Sequence, residues 1–233
     1  MRELNYIDET IEKNENPALR IGSVGRSALS TVYLMDCIEG MKKFPDKIFD
    51  LAVVDPPYGI GAENHAGNKE NGWTQWNKKE WDKSTPNAEY WKELFRVSKN
   101  QIVWGGNYMT EYLPPKMGWI IWDKGQRDFS LADGEMAWTS FDKAMRIFTY
   151  ARAKALQEGK IHPTQKPSAL YDWVYSKYAS EGNLILDTHL GSQSSRIAAN
   201  KAGLDFVGFE IDREYYDNGN KRFKNFVSQG TLF

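Results

Sequence analysis

The feature that most constrains this chain is a set of short apolar runs that each stop at an acid. IFDLAVVDPPYG reaches Asp55, NLILDTHLGS reaches Asp187, DFVGFEID reaches Glu210, and STVYLMDC reaches Asp36. A continuous apolar run such as LAVV suits a strand buried on both faces, as in a parallel sheet. Between the runs lie stretches with helical spacing. NAEYWKELFRVS places Tyr90, Leu94 and Val97 on one stripe, PSALYDWVYSKYA is amphipathic, SSRIAANKAG is closed by Gly203, and a last helix is led by Glu214 and Tyr215. This alternation predicts an α/β fold, a mostly parallel, doubly wound sheet. GWIIWDKG, GEMAWTSF and AMRIFTY read as further strands that end it in an antiparallel hairpin. Ligands of such sheets bind outside the carboxyl ends of strands, where the four acids fall.

The 233 residues suffice for one domain, with 1–30 read as an N-terminal arm and 31–233 as a single domain. Hydrophobic residues make up 41% and aromatics 14%, a globular composition. No apolar run approaches the roughly 20 residues that span a bilayer. The start, MRELNYIDETIEKN, lacks a signal-peptide core. The single cysteine, Cys37, excludes an internal disulfide, and the chain is expected in a reducing cytoplasm, away from membranes. The net charge of −1 excludes a uniformly basic nucleic-acid binder but not a local basic face. Between 141 and 167 there are six cations (Lys143, Arg146, Arg152, Lys154, Lys160, Lys166) against Asp142 and Glu158.

Three stretches carry chemistry. In LDTHLGSQSSRIAA, Gly191 allows a tight turn and Ser192 to Ser195 open a helix, whose free N–H groups suit an anion. The same residues would serve an ordinary β–α turn with a serine cap, and neither GxGxxG nor a P-loop is present. Glu210, in GFEID about 20 residues on, stands where an acid takes two ribose hydroxyls. In DPPY, Asp55 and the Pro56 carbonyl are acceptors aimed by two rigid residues, Pro56 and Pro57. Two converging acceptors suit a planar NH₂ group, and Tyr58 could stack on the ring that bears it or attract a sulfonium.

DPPY, then HPTQKP (162–167), then a D-x-x-x-G-S loop, then FEID, in this order over roughly residues 31–220, resembles the β-class DNA amino-methyltransferases of N6-adenine and N4-cytosine. The resemblance implies a Rossmann-like methyltransferase fold in permuted motif order and S-adenosyl-L-methionine as cofactor. It implies that Asp55, Pro56, Pro57 and Tyr58 grip the target base. Asp187, Gly191 and Ser192 would form the cofactor loop, and Glu210 would take the ribose. Asp36 would meet the cofactor adenine, with Cys37 contributing backbone. His162, Thr164 and Lys166 would shape the methionine end, Lys166 as partner of its carboxylate. No residue is assigned to a metal. Double-stranded DNA is the implied partner, and a homodimer and a cognate restriction nuclease are open as further partners.

The chain departs from the family loop D-P-F-x-G-S-G-T-T. Thr188 and His189 replace Pro and Phe, and Gln193 replaces the second Gly, which bears on cofactor affinity. Methyl transfer to an exocyclic amine needs positioning and electrostatics more than a strong base, and the base must leave the stack to reach the pocket. DNA recognition is expected in 60–88 and 123–160. Trp73, Trp76, Lys78 and Lys79 are candidates in the first segment. Arg127, Lys143, Arg146, Arg152 and Lys154 are candidates in the second, which is the better phosphate contact. Cytosine-N4 enzymes more often begin the tetrapeptide with Ser, so Asp55 favours adenine N6. The alternatives are cytosine N4 and a nucleic-acid-binding relative that keeps the fold without catalysis.

Overall fold

A computed structural model of the chain describes residues 29–61, 82–128 and 132–230. The N-terminal arm up to residue 28, and Trp73, Trp76, Lys78 and Lys79, lie outside the described residues. Eight strands form one sheet: β1 (Ser30–Leu34), β2 (Phe49–Val54), β3 (Ser98–Trp104), β4 (Trp119–Asp123), β5 (Gly134–Thr139), β6 (Arg146–Thr149), β7 (Leu184–Asp187) and β8 (Asp205–Glu210). Their spatial order is β1-β8-β7-β2-β3-β5-β4-β6. The helices are α1 (Cys37–Met41), α2 (Ala88–Val97), α3 (Arg152–Gln157), α4 (Ser168–Tyr178), α5 (Ser194–Lys201) and α6 (Arg213–Gly230).

Successive side chains of a strand point to opposite faces, so an all-apolar strand needs cover on both. In β2, Leu51 and Val53 pack with Leu170, Val174 and Ala198 of α4 and α5. Ala52 and Val54 pack with Met41, Tyr90 and Leu94 of α1 and α2. The result is three layers. The helix stripe expected on Tyr90, Leu94 and Val97 is buried, and Asn87 caps α2 by accepting from the Tyr90 N–H at 3.1 Å.

Strands β1, β8, β7, β2 and β3 run parallel. The expected antiparallel hairpin is β4–β5, and β6 lies outside it, parallel to β4. Only β5 is reversed, pairing antiparallel with both β3 and β4. Two consequences place the site. The crossover from β2 to β3 carries α2 over one face, and that from β7 to β8 carries α5 over the other. The neighbours β2 and β7 therefore mark the topological switch point, and the crevice there opens between Asp55 and Asp187. Because β5 is reversed, its amino end, with Glu135, arrives at the same edge as the other strands' carboxyl ends. Among the described residues, no helix is long and apolar enough to cross a membrane.

Candidate active site at the carboxyl edge of the sheet

Asp55 leaves β2 into the switch-point crevice with both carboxylate oxygens engaged. Oδ1 accepts from the Tyr58 hydroxyl at 2.7 Å, and Oδ2 accepts from the Lys166 ammonium at 2.5 Å. Lys166 is only 2% exposed. Its Nζ also donates to the Tyr58 hydroxyl at 3.1 Å and lies 3.1 Å from Oε2 of Glu135, while Lys124 holds the other oxygen of Glu135 at 2.7 Å. Four alternating charges thus run from the crevice outward: Asp55, Lys166, Glu135, Lys124.

A buried ion is tolerated when it is paired and hydrogen-bonded, and the chain meets that condition at each member. Burial opposes the charge on Lys166, but Asp55 and Glu135 outweigh it and raise its pKa. Burial likewise opposes the charge on Glu135, but Lys166 and Lys124 bring it down to about 2. Asp55 shares one ammonium and has no second, so burial and the nearby Glu135 leave its pKa raised.

Tyr58 is fixed on several sides. Its backbone N–H and that of Gly59 both donate to Oδ1 of buried Asp82, at 2.6 and 2.8 Å. Its ring stacks on Tyr108 with centroids 5.2 Å apart. It lies directly on the backbone of Gly105, where a Cβ would come within 2.1 Å of Cε1 and where φ is +68°. Only glycine satisfies both conditions.

The residues expected on the cofactor side are held differently. Glu210 accepts from the Gly191 N–H at 2.8 Å and the Asp212 N–H at 2.9 Å, one bond per oxygen. Burial raises its pKa against these bonds. Gly191 has φ +47° and faces the His162 ring. That ring packs edge-on against Tyr215, and its Nδ1 meets the Thr164 hydroxyl at 3.2 Å. Asp187 accepts from the Ser195 hydroxyl and the His189 N–H, and burial lifts its pKa to about 7. Asp36 caps α1 by accepting from the Ile38 and Glu39 N–H groups through Oδ1. The next residue, Cys37, has its thiol pushed up to about 12, first by burial and then by Asp36. Ser192 is buried, with its hydroxyl 3.1 Å from that of Ser194.

Gln193, expected to bear on the cofactor loop, has a left-handed backbone (φ +58°), and its buried side chain turns into the body. There it receives the Arg196 guanidinium at 2.9 Å and meets Asn220 at 3.3 Å, in the space beside Gly219. Lys166, expected at the cofactor's carboxylate, directs its ammonium at Asp55, Tyr58 and Glu135. Glu135, Lys124, Asp82, Gly105 and Tyr108 also belong to the site, and their residue types alone did not mark them. The glycine pair in QIVWGGN was the one usable signal among them.

Of the DNA-contact candidates, Arg127 grips Asp123 through both carboxylate oxygens, at 2.8 and 3.1 Å. Lys143 lies over the rings of Phe141 and Tyr178. Arg146 and Lys154 are exposed, on β6 and α3, and Arg152 begins α3 with its N–H bonded to the Lys124 carbonyl. The pKa of Lys160 is lowered, chiefly by burial, then by Arg152 and Lys124. Lys124, Arg152 and Lys160 therefore form one cationic neighbourhood at the outer end of the charge chain.

A doubly wound sheet with acids at the ends of β1, β2, β7 and β8, and an aromatic beside one of them, gathers polar groups where ligands of α/β sheets bind. Comparison with known families makes this specific. The model of the N6/N4 DNA methylases matches residues 103–221, just over half of the chain, and the chain belongs to that family. The type II methyltransferase M.HinfI of Haemophilus influenzae is 27% identical over 246 residues, covering 84% of this chain and 68% of that one. The type II methyltransferase M2.DpnII of Streptococcus pneumoniae is 24% identical over 238 residues, covering 81% and 87%. Among solved structures, the M1.HpyAVI–SAM complex shares the fold with a TM-score of 0.57 at 19% identity, covering 83% of this chain and all of that one. The cytosine-N4-specific PvuII DNA methyltransferase shares it with a TM-score of 0.56 at 13% identity, covering 87% and 91%.

Proposed function

We propose that the protein is a site-specific DNA methyltransferase that moves a methyl group from S-adenosyl-L-methionine to the exocyclic N6 of a flipped adenine. The observation that carries this reading is Asp55, a carboxyl group at the switch point whose two oxygens are fixed by Tyr58 and Lys166. A carboxylate fixed in this way can accept an amine N–H without reorganising, which is where preorganised electrostatics gain most.

The donor set fits the cofactor. Glu210 uses one lone pair of each oxygen on backbone N–H groups and keeps others for two hydroxyls. Asp36 commits Oδ1 to its helix, leaving Oδ2 for an amine near Cys37. Asp187, Gly191 and Ser192 shape the loop, and His162 and Thr164 close it from the HPTQKP side. The bound cofactor supplies an electrophilic methyl carbon. The chain's part is to hold the base: Asp55 and the Pro56 carbonyl take the two N–H groups, Pro57 stiffens the turn, and Tyr58 offers a stacking face. Two acceptors favour a pyramidal nitrogen with its lone pair aimed at the methyl group. The methylated amine then loses a proton, and in this grip Asp55 is the carboxylate that stands to accept it.

The cations Lys124, Arg152 and Lys160 offer a phosphate contact beside the pocket, with Arg146 and Lys154 exposed further along the same segment. The type II naming of two relatives carries the further reading that the mark protects DNA from a cognate nuclease. The test is incubation of the protein with methyl-labelled cofactor and duplex DNA, followed by digestion to nucleosides. Label in N6-methyldeoxyadenosine is expected. Label in N4-methyldeoxycytidine would overturn the base assignment, and DNA binding with no label would overturn the activity.

A further inference from the structure

The loop after β7 departs from its family at Thr188 and His189, and the structure gives these residues a specific arrangement. The Tyr90 hydroxyl, buried on α2, meets the Thr188 hydroxyl at 2.8 Å, and the Thr188 hydroxyl meets Nδ1 of His189 at 2.9 Å. The His189 ring lies 5.6 Å from the Tyr90 ring, centroid to centroid. The backbone N–H of His189 donates to Asp187, and the ring Nε2 has no partner among the described residues.

The direction of the hydrogen bonds follows from the donors. Thr188 is the one hydrogen-bond partner of the Tyr90 phenol among the described residues. If the phenol accepted there, its own proton would be buried without an acceptor, which is costly. It therefore donates to Thr188, whose proton then goes to Nδ1 of His189. An imidazole that accepts at Nδ1 while neutral carries its proton on Nε2.

We propose that His189 is a cofactor-contacting residue, fixed by Tyr90 and Thr188 as the neutral Nε2–H tautomer so that it presents one N–H donor to the nucleoside half of S-adenosyl-L-methionine. This rests on the cofactor reading above. The location supports it, since His189 lies between Asp187 and Gly191 and within electrostatic reach of Asp36, so it borders the space those residues frame. Neutrality supports it too. Burial pushes the imidazole down to about 4, and an uncharged ring does not repel a sulfonium. The substitution therefore exchanges an apolar contact for a directed hydrogen bond.

Two measurements on the full chain test this. Imidazole nitrogen NMR near pH 7, with His189 assigned by comparison with His189→Phe, should show the Nε2–H tautomer in the free protein and a shift of Nε2 when cofactor is added. In Tyr90→Phe the tautomer preference should weaken. An Nδ1–H tautomer in the wild type, or an Nε2 signal that cofactor leaves unmoved, overturns the proposal. Calorimetric titration with cofactor should show about three- to tenfold weaker binding by His189→Phe, with part of the loss restored in His189→Gln, which keeps a donor. Wild-type binding by His189→Phe overturns the inference alone. Absence of binding by the wild type overturns the cofactor reading and the inference with it.

Discussion

Asp55 and Glu210 both end parallel strands, both face the same edge, and both have pKa values raised by burial. They are held by opposite means. Glu210 is fixed by two backbone N–H groups, from Gly191 and Asp212, the nearer of them two residues away in sequence. Asp55 is fixed by side chains, one of them the ammonium of Lys166, 111 positions away and itself clamped by Glu135 on a reversed strand. Backbone donors come with the turn and cost the fold little to aim. A buried charge chain must be complete, because each member is stable only while its neighbours are present. The proposed cofactor half should therefore tolerate substitution locally, whereas the proposed catalytic half should fail as a unit.

The largest expected effect tests that asymmetry. Lys166→Met leaves Asp55 and Glu135 as half-buried carboxylates without their shared cation. Loss of one member of a buried pair costs about 3–5 kcal/mol, to be read from the denaturation midpoint. Adding Glu135→Gln to it should restore part of the loss. If Lys166→Met costs no more than Glu210→Gln, the two halves are not built differently.

Asp55→Ala comes next. It removes the proposed amine acceptor, so turnover should fall by roughly 10²–10³-fold, measured at saturating DNA and cofactor. Glu210→Gln should weaken cofactor binding by about tenfold, near 1.4 kcal/mol, while turnover at saturation changes little. A turnover loss equal to that of Asp55→Ala would blur the division.

Glu135→Gln sharpens it by pH. In its proposed role Asp55 works as a carboxylate, and its raised pKa should put the acid limb of the activity profile above the ordinary carboxylate range. Glu135 contributes to that rise. Removing its charge should lower the pKa of Asp55 and move the acid limb to lower pH. Movement to higher pH would mean that the loosened Lys166 matters more than the lost repulsion.

The same contrast explains what could be read from residue types. The alternation of strands and helices was legible because a strand buried on both faces is apolar throughout, as in LAVV. Glu210 and Gly191 were legible as a pair because a β–α loop and the next strand end have a nearly fixed spacing. Glu135 was not. GEMAWTSF reads as a strand, but nothing in its residues states its direction, and only reversal brings Glu135 to the active edge. Lys166 was found through HPTQKP, yet its partners depend on the path of a loop and on β5. Gln193 read only as a departure bearing on cofactor affinity, because its network with Arg196 and Asn220 depends on α6, far along the chain.

The most direct measurement is parallel calorimetric titration of S-adenosyl-L-methionine into Asp55→Ala and Glu210→Ala proteins. Asp55→Ala should bind within about threefold of wild type, while Glu210→Ala should lose about tenfold or more. Equal losses in the two, or a larger loss in Asp55→Ala, would contradict the separation of a backbone-held cofactor half from a charge-held catalytic half.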